Sequence, residues 1–401
     1  MNSSVLLNIA DSSPKLIIKG QGVFIFSADP SETHSFSFQD ETGENGINFE
    51  FSLKYVRATQ FSLNKSKKLK CKGNKKGLSK KSGAYYWVSL DSQNQRLYAG
   101  VGEPRLETMV YEYQYVSKTD KIRKKTKAFL EAFSQVKVGT VTPIKLLRDP
   151  ITSAVPVIVK DTNLLSMADI ASGKYLPKAN LSTVAQKLHD CISGANFELD
   201  DADFSDFTKA IEYSISTPNM WCHKTLKRKS TEFNKNKPNL EETYLRITLG
   251  QNNGESPGVP YVMEIWPYGH YSPVHNHGDS NAIIRVLHGK INVKLFPFLC
   301  GDKGGVEPFS EVTVNTGEIT WISPTLNQVH QLHNTDDEEK KTCVTIQCYM
   351  YDNENKTHYD YFDYLDNKGK IKQFEPDSDM GFIEFRETMK KEWESRGNPG
   401  L

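Results

Sequence analysis

Two histidines one residue apart, His275 and His277, stand in "YGHYSPVHNHGDSNAIIRVLHGKINV", just ahead of an apolar run. On a strand, side chains at i and i+2 point the same way, whereas on a helix they diverge. The spacing therefore aims two imidazoles at one object. Neutral imidazole nitrogens bind late first-row metals, so the chemistry on offer is a metal centre, provided that a third ligand exists. An HxH pair alone carries little information, because surface and core histidines produce it by chance.

The third ligand comes from a longer pattern. From Gly269 the chain reads G-x5-H-x-H and closes on Gly289; Gly317, Pro324, His330 and Asn334 follow in the order G, P, H-x3-N. These stretches resemble the two halves of the cupin signature, with one extra residue between Pro324 and His330. The resemblance implies a β-barrel holding His275, His277 and His330 as a facial metal triad with open positions opposite. Where the first half usually has a carboxylate ligand the chain has Ala282, and Asp279 is misplaced for that role. Three neutral histidines leave the ion's full charge in place and favour an anionic ligand. A thiolate is both soft and charged.

From about residue 180 to 390 the chain resembles cysteine dioxygenase, the cupin-fold thiol oxygenase that uses three histidines on ferrous iron. The resemblance rests on "YLRITLGQNNG", "PYGHYSPVHNHGDS", "RVLHGKINVKLF", "VHQLHN" and "QCYMYD". It implies Fe(2+) as cofactor and oxidation of L-cysteine by O2 to cysteine sulfinic acid. By the same resemblance Arg246 pairs with the substrate carboxylate, a task for a planar bidentate guanidinium. Tyr244, two residues earlier on the same strand face, accompanies it. Tyr349 matches the catalytic tyrosine whose hydroxyl reaches the metal-bound substrate, and His270 a further histidine near the pocket. Animal members have a cysteine at the position of Ala282, crosslinked to that tyrosine, so Tyr349 is read here as an unmodified phenol. Gln347 falls where the family has a histidine that positions the tyrosine; glutamine bonds a phenol but does not carry a proton in the same way.

Other readings stay open. Members acting on 3-mercaptopropionate commonly have glutamine in place of Arg246, so the arginine favours an α-amino acid. A non-catalytic metal-binding cupin module and a three-histidine oxygenase acting on a carbon substrate complete the set. Strand alternation turns His333 and Cys348 away from the site and places His288 at an exposed turn, while Cys300 is a candidate for the substrate entrance.

The elements that must position these residues read as mainly β. Residues 1–117 form a separate β-sandwich-like N-terminal domain of short β-branched and aromatic runs such as "INFEFSLKYVRA" and "AYYWVSLD". "AYYWVSLDSQNQRLYAGVGEP" resembles the tail of the farnesoic acid O-methyltransferase-like domain, a name that establishes no transferase activity. The lysine run 64–81 reads as a solvated hairpin tip, because no aromatic residue interleaves it. Residues 118–177 read as a helix over 120–136 followed by a proline-marked linker. Residues 178–395 read as the cupin β-barrel, preceded by two short helices: one capped by Ser182 and one carrying Phe204, Phe207, Ile211 and Ile215.

Composition sets the outer limits. The 401 residues carry 50 Lys+Arg against 49 Asp+Glu, so no net field draws the chain to nucleic acid or to a membrane surface. The N-terminus lacks the basic and apolar regions of a secretory signal. The six cysteines include no CxxC pair and form no disulfide framework. The expectation is a cytoplasmic protein whose partners are a small thiol and O2.

Overall fold

Runs of alternating apolar and polar residues become paired strands throughout the computed structural model. It describes residues 4–63, 65–70, 77–78, 84–235, 237–250, 261–301, 306–351 and 361–396. The chain divides into two compact units: Met1–Val155 with Cys300–Phe309, and Pro156–Leu299 with Ser310–Leu401. Among the described residues no helix is long and apolar enough to cross a membrane.

The first unit is a sandwich of a six-stranded and a five-stranded sheet. Its interior is aromatic by period-two placement: Phe24 and Phe26 on the strand Gln21–Ser27 meet Phe36, Phe49 and Phe51 of the other sheet. The rings of Phe24 and Phe36 lie 4.7 Å apart edge to face, those of Phe26 and Phe51 4.9 Å. In the lysine run, Lys65–Leu69 is an edge strand with exposed lysines, a composition that discourages edge-to-edge pairing. Positions 64, 71–76 and 79–83 lie outside the described residues.

Segment 118–177 holds a helix and short strands, and the boundary between the two units falls inside it, at Val155/Pro156. The helix Asp120–Glu131 forms, with Thr119 as its N-cap, but it stops short of the expected end. Gln135–Val138 and Thr142–Leu147 join the two sandwich sheets, and Ile158–Lys160 and Tyr175–Pro177 join the main sheet of the second unit. The β-branched content of "QVKV" and "VIVK" outweighed the prolines. Pro143 sits at a register irregularity, where a missing N–H is tolerated.

In the second unit the strands that frame the site are β1 (Leu245–Leu249), β2 (Tyr261–Trp266), β3 (Asn281–His288), β4 (Lys290–Phe296), β5 (Ser310–Asn315), β6 (Ile319–Ile322), β7 (Val329–His333), β8 (Cys343–Met350) and β9 (Phe362–Leu365). The eight-stranded sheet runs through β6, β3, β8, β2 and β1 in that order; a three-stranded sheet is β5-β4-β7; β9 pairs with Ile371–Phe374. Among the described residues these strands remain separate sheets and do not close into the expected barrel.

Besides the short helix Met167–Ser172, the unit has helices α1 (Thr183–Ile192), α2 (Phe207–Ser216), α3 (Trp221–Lys229) and α4 (Phe382–Glu394). Ser182 caps α1 by accepting from Ala185 N at 3.2 Å, and Val184, Leu188 and Ile192 are buried as the spacing requires. α2 starts later than its sequence pattern, because the acidic residues before Phe207 form turns. α3 and α4 are two helices the sequence reading missed. Leu245, Ile247, Met263 and Ile265 pack with Phe207, Ile211, Phe385 and Met389. That packing commits one face of β1 and β2 to the helices and leaves Tyr244, Arg246, Glu264 and Trp266 on the opposite face.

Candidate metal centre

The three histidines come together from two segments. His330 lies on β7, and His275 in the loop before β3 pairs with it: each backbone N–H donates to the other's carbonyl, at 3.0 and 3.1 Å. Left-handed Gly278 and Asp279 then turn the chain away after His277 (φ +55° and +69°). Gln328 straps this turn: its Oε1 accepts from Asp279 N at 3.0 Å and its Nε2 donates to Ser280 O at 2.9 Å. The ring centroids of His275, His277 and His330 form a near-equilateral triangle with sides of 4.7–4.9 Å. One nitrogen from each lies within 4.8 Å of the others. Among the described residues no carboxylate or thiol joins this cluster.

The tautomers follow from the backbone. His275 Nδ1 lies 2.9 Å from Pro273 O and His330 Nδ1 3.1 Å from Asn327 O; each must carry its proton there to bond a carbonyl, leaving Nε2 with a lone pair. Withdrawal from water pushes His275 down to about 4 with help from Arg246, His330 to about 3 with help from His275, and His277 well below its ordinary value with help from His330, His275 and Arg246. The rings are therefore neutral at physiological pH, the form that binds a metal. The Nε2 atoms of His277 and His330 face each other at 3.3 Å. Two imidazole nitrogens this close share either a proton or a cation, and an ion in the proton's place would be held by these three residues, so this donor set fits a metal ion.

A cavity of about 260 Å³ of empty space, its mouth included, opens on the triad. The eight-stranded sheet contributes Glu264, Trp266, Gln347 and Tyr349 to its wall; β7 and β9 contribute Leu332 and Phe362; Tyr244 completes it. Tyr349 lies beside the triad, its ring 5.8 Å from that of His277 and stacked on it. It stands directly opposite Ala282 across the β3–β8 pair. Cys348 faces the other way, donating to Leu188 O at 3.4 Å. Tyr244 stacks on Trp266 at 4.2 Å.

Three placements differ from expectation. The Arg246 guanidinium does not line the cavity. It is buried; Glu264 stands opposite it across the β1–β2 pair and accepts from its Nη1 at 3.0 Å, and the guanidinium also hydrogen-bonds Tyr349 in the cavity wall. His270 is also off the wall: its Nδ1 lies 2.9 Å from Thr243 O, so it ties the loop to β1. Cys300 is buried and belongs to the first unit.

Glu264 is the residue that the sequence reading missed. One oxygen accepts from Arg246 and the other from Gln347 Nε2, while Gln347 Oε1 accepts from the Tyr349 hydroxyl. Arg246, Glu264, Gln347 and Tyr349 thus form one continuous buried chain. Burial pushes the Glu264 carboxyl up, and Arg246 and Gln347 pull it back. Burial also pushes the Tyr349 phenol up, so it stays protonated. The available signal was a single acidic residue inside the apolar run "YVMEIW", in step with Trp266.

No family model matches the chain. Solved structures similar to part of it are cupins. A cupin 2 domain-containing protein from Halorhodospira halophila is 19% identical over 30% of this chain and 72% of its own, with a TM-score of 0.22. Oxalate oxidase in complex with a substrate analogue, glycolate, is 19% identical over 29% and 53%, with a TM-score of 0.22. A cupin superfamily protein from Desulfitobacterium hafniense is 12% identical over 28% and 81%, with a TM-score of 0.20.

Proposed function

We propose that the second unit is an iron-dependent thiol dioxygenase of a cytoplasmic protein, acting on a small thiol. The observation that carries this reading is the convergence of three neutral imidazoles, with no protein carboxylate among them, on a small cavity walled by Tyr349. The reaction is R–SH + O2 → R–SO2H: two S–O bonds form, the O–O bond breaks, and the S–H proton ends on the sulfinic acid. Sulfur is oxidised and dioxygen reduced within one substrate pair, so no external reductant is consumed.

Ferrous iron, held by His275, His277 and His330, would acidify the thiol and supply the electron chemistry that dioxygen needs. The protein's own contribution is orientation and exclusion of water. Gln347 accepts from the Tyr349 hydroxyl and so fixes the phenol beside the triad. Trp266, Leu332 and Phe362 make the wall partly apolar, which strengthens every polar contact inside. L-Cysteine is the substrate that the sequence resemblance brings forward, with 3-mercaptopropionate as the alternative.

Oxygen consumption by iron-loaded protein tests the reading. Uptake should match thiol consumed, and mass spectrometry should find both atoms of labelled O2 in the sulfinate. Bound iron without uptake on any small thiol would contradict it and leave a non-catalytic metal-binding module.

A further inference from the structure

The buried chain beside the triad has a fixed hydrogen-bond direction. A guanidinium only donates and a carboxylate only accepts. Glu264 takes Arg246 Nη1 on one oxygen and Gln347 on the other, so the glutamine turns its Nε2 toward Glu264 and its Oε1 toward Tyr349. The second amide hydrogen finds Thr345 Oγ1 at 3.5 Å. A flipped amide would set two acceptors against each other in a buried place, a costly arrangement. Oε1 therefore accepts the Tyr349 proton, and the Arg246 guanidinium, which also bonds this phenol, donates to its oxygen. On the reading of the triad as an open iron centre, we infer that Glu264 is a positioning residue. Through Gln347 it holds the Tyr349 proton away from the cavity, so the phenol meets a metal-bound ligand as an acceptor.

The consequence is a preference among ligands of the metal. A ligand atom that carries a proton, such as a coordinated amine or water, donates to the Tyr349 oxygen, whereas a bare anion gains nothing from it. Changing one group reverses the chain. In Glu264→Gln the side chain still accepts from Arg246 with its oxygen, and its new amide nitrogen must donate to Gln347. Gln347 then turns over and offers Nε2 to the phenol oxygen. The hydroxyl proton is left free to point into the cavity, and the phenol becomes a donor.

The test is titration of cobalt(II)-loaded protein with azide, an anion that only accepts, read by the visible absorption bands of the metal. Four proteins are compared: wild type, Tyr349→Phe, Glu264→Gln and the double variant. In the wild-type background Tyr349→Phe should change the azide Kd by less than about twofold, because no phenol proton reaches the ligand. Glu264→Gln should tighten azide about tenfold more with Tyr349 in place than in the Tyr349→Phe background. Loss of a negative charge alone would act equally in both backgrounds, so the dependence on Tyr349 isolates the direction of the proton. The inference is overturned if Tyr349→Phe alone weakens azide about tenfold, or if Glu264→Gln acts equally with and without the phenol. Should Glu264→Gln fail to fold, the comparison of wild type with Tyr349→Phe decides alone. Protein that takes up no cobalt, or cobalt that takes no azide, would overturn the open metal centre itself, and this inference with it.

Discussion

Both units are built from paired sheets, and the first also buries the pair Arg105 and Glu103, yet the centres of the two differ in chemistry. The sandwich of the first unit is filled with phenylalanine rings that touch one another edge to face. The corresponding space in the second unit holds three imidazoles and a buried chain of arginine, glutamate, glutamine and tyrosine. Burying such groups costs free energy unless each is paired, and packing alone does not require them. An interior that keeps them beside a cavity marks where chemistry is done. An interior of stacked rings is explained by folding alone.

The sharpest way to break this contrast is to treat each interior as the other. In the second unit, Arg246→Met strands the Glu264 carboxylate and should cost about 3–5 kcal/mol, whereas the double change Arg246→Met with Glu264→Leu should recover most of it. Urea unfolding followed at two wavelengths reads both; equal losses in single and double variants would mean the two side chains are not coupled. In the first unit, Phe36→Ala should also cost about 3–5 kcal/mol, but Phe36→Leu far less, because only volume is at stake there.

How much of this was legible beforehand follows from the same contrast. The triad, Tyr349 and Gln347 could be read because i, i+2 spacing and the glycines of the turns fix direction as well as residue type. The pairing of Arg246 could not, since a lone arginine on a strand does not reveal its cross-strand partner. That partner, Glu264, is set by the β1–β2 register, which depends on a connection through residues 251–260 that carries no periodic signal. The strands of 135–160 were hidden by prolines that occupy tolerant positions. α3 was missed because it is mostly polar, with Leu226 and Cys222 alone buried from its apolar side chains.

Smaller effects sharpen the account of the supporting elements. His189 on α1 is buried, and neither ring nitrogen has a hydrogen-bond partner; burial and Lys178 push its pKa down. The unfolded chain then takes up a proton more readily than the native one. His189 therefore leaves stability intact above pH 6.5 and removes it as pH falls from there toward the depressed native value. His189→Leu should flatten that acid limb in melts taken from pH 7 to 5, and an unchanged limb would exclude His189 as its source. Smallest is Ser182→Ala, which removes one N-cap and should cost about 1 kcal/mol, as a modest fall in the melting temperature of the second unit.

The claim beneath all of this is that the three imidazoles hold one metal ion. Its most direct measurement is the metal-to-protein ratio after chelator stripping and anaerobic reloading with ferrous iron, in wild type and His330→Ala, with circular dichroism confirming equal folding. The account predicts one iron per wild-type chain and a loss of nearly all of it in the variant. Equal iron in both proteins, or none in wild type, would contradict it.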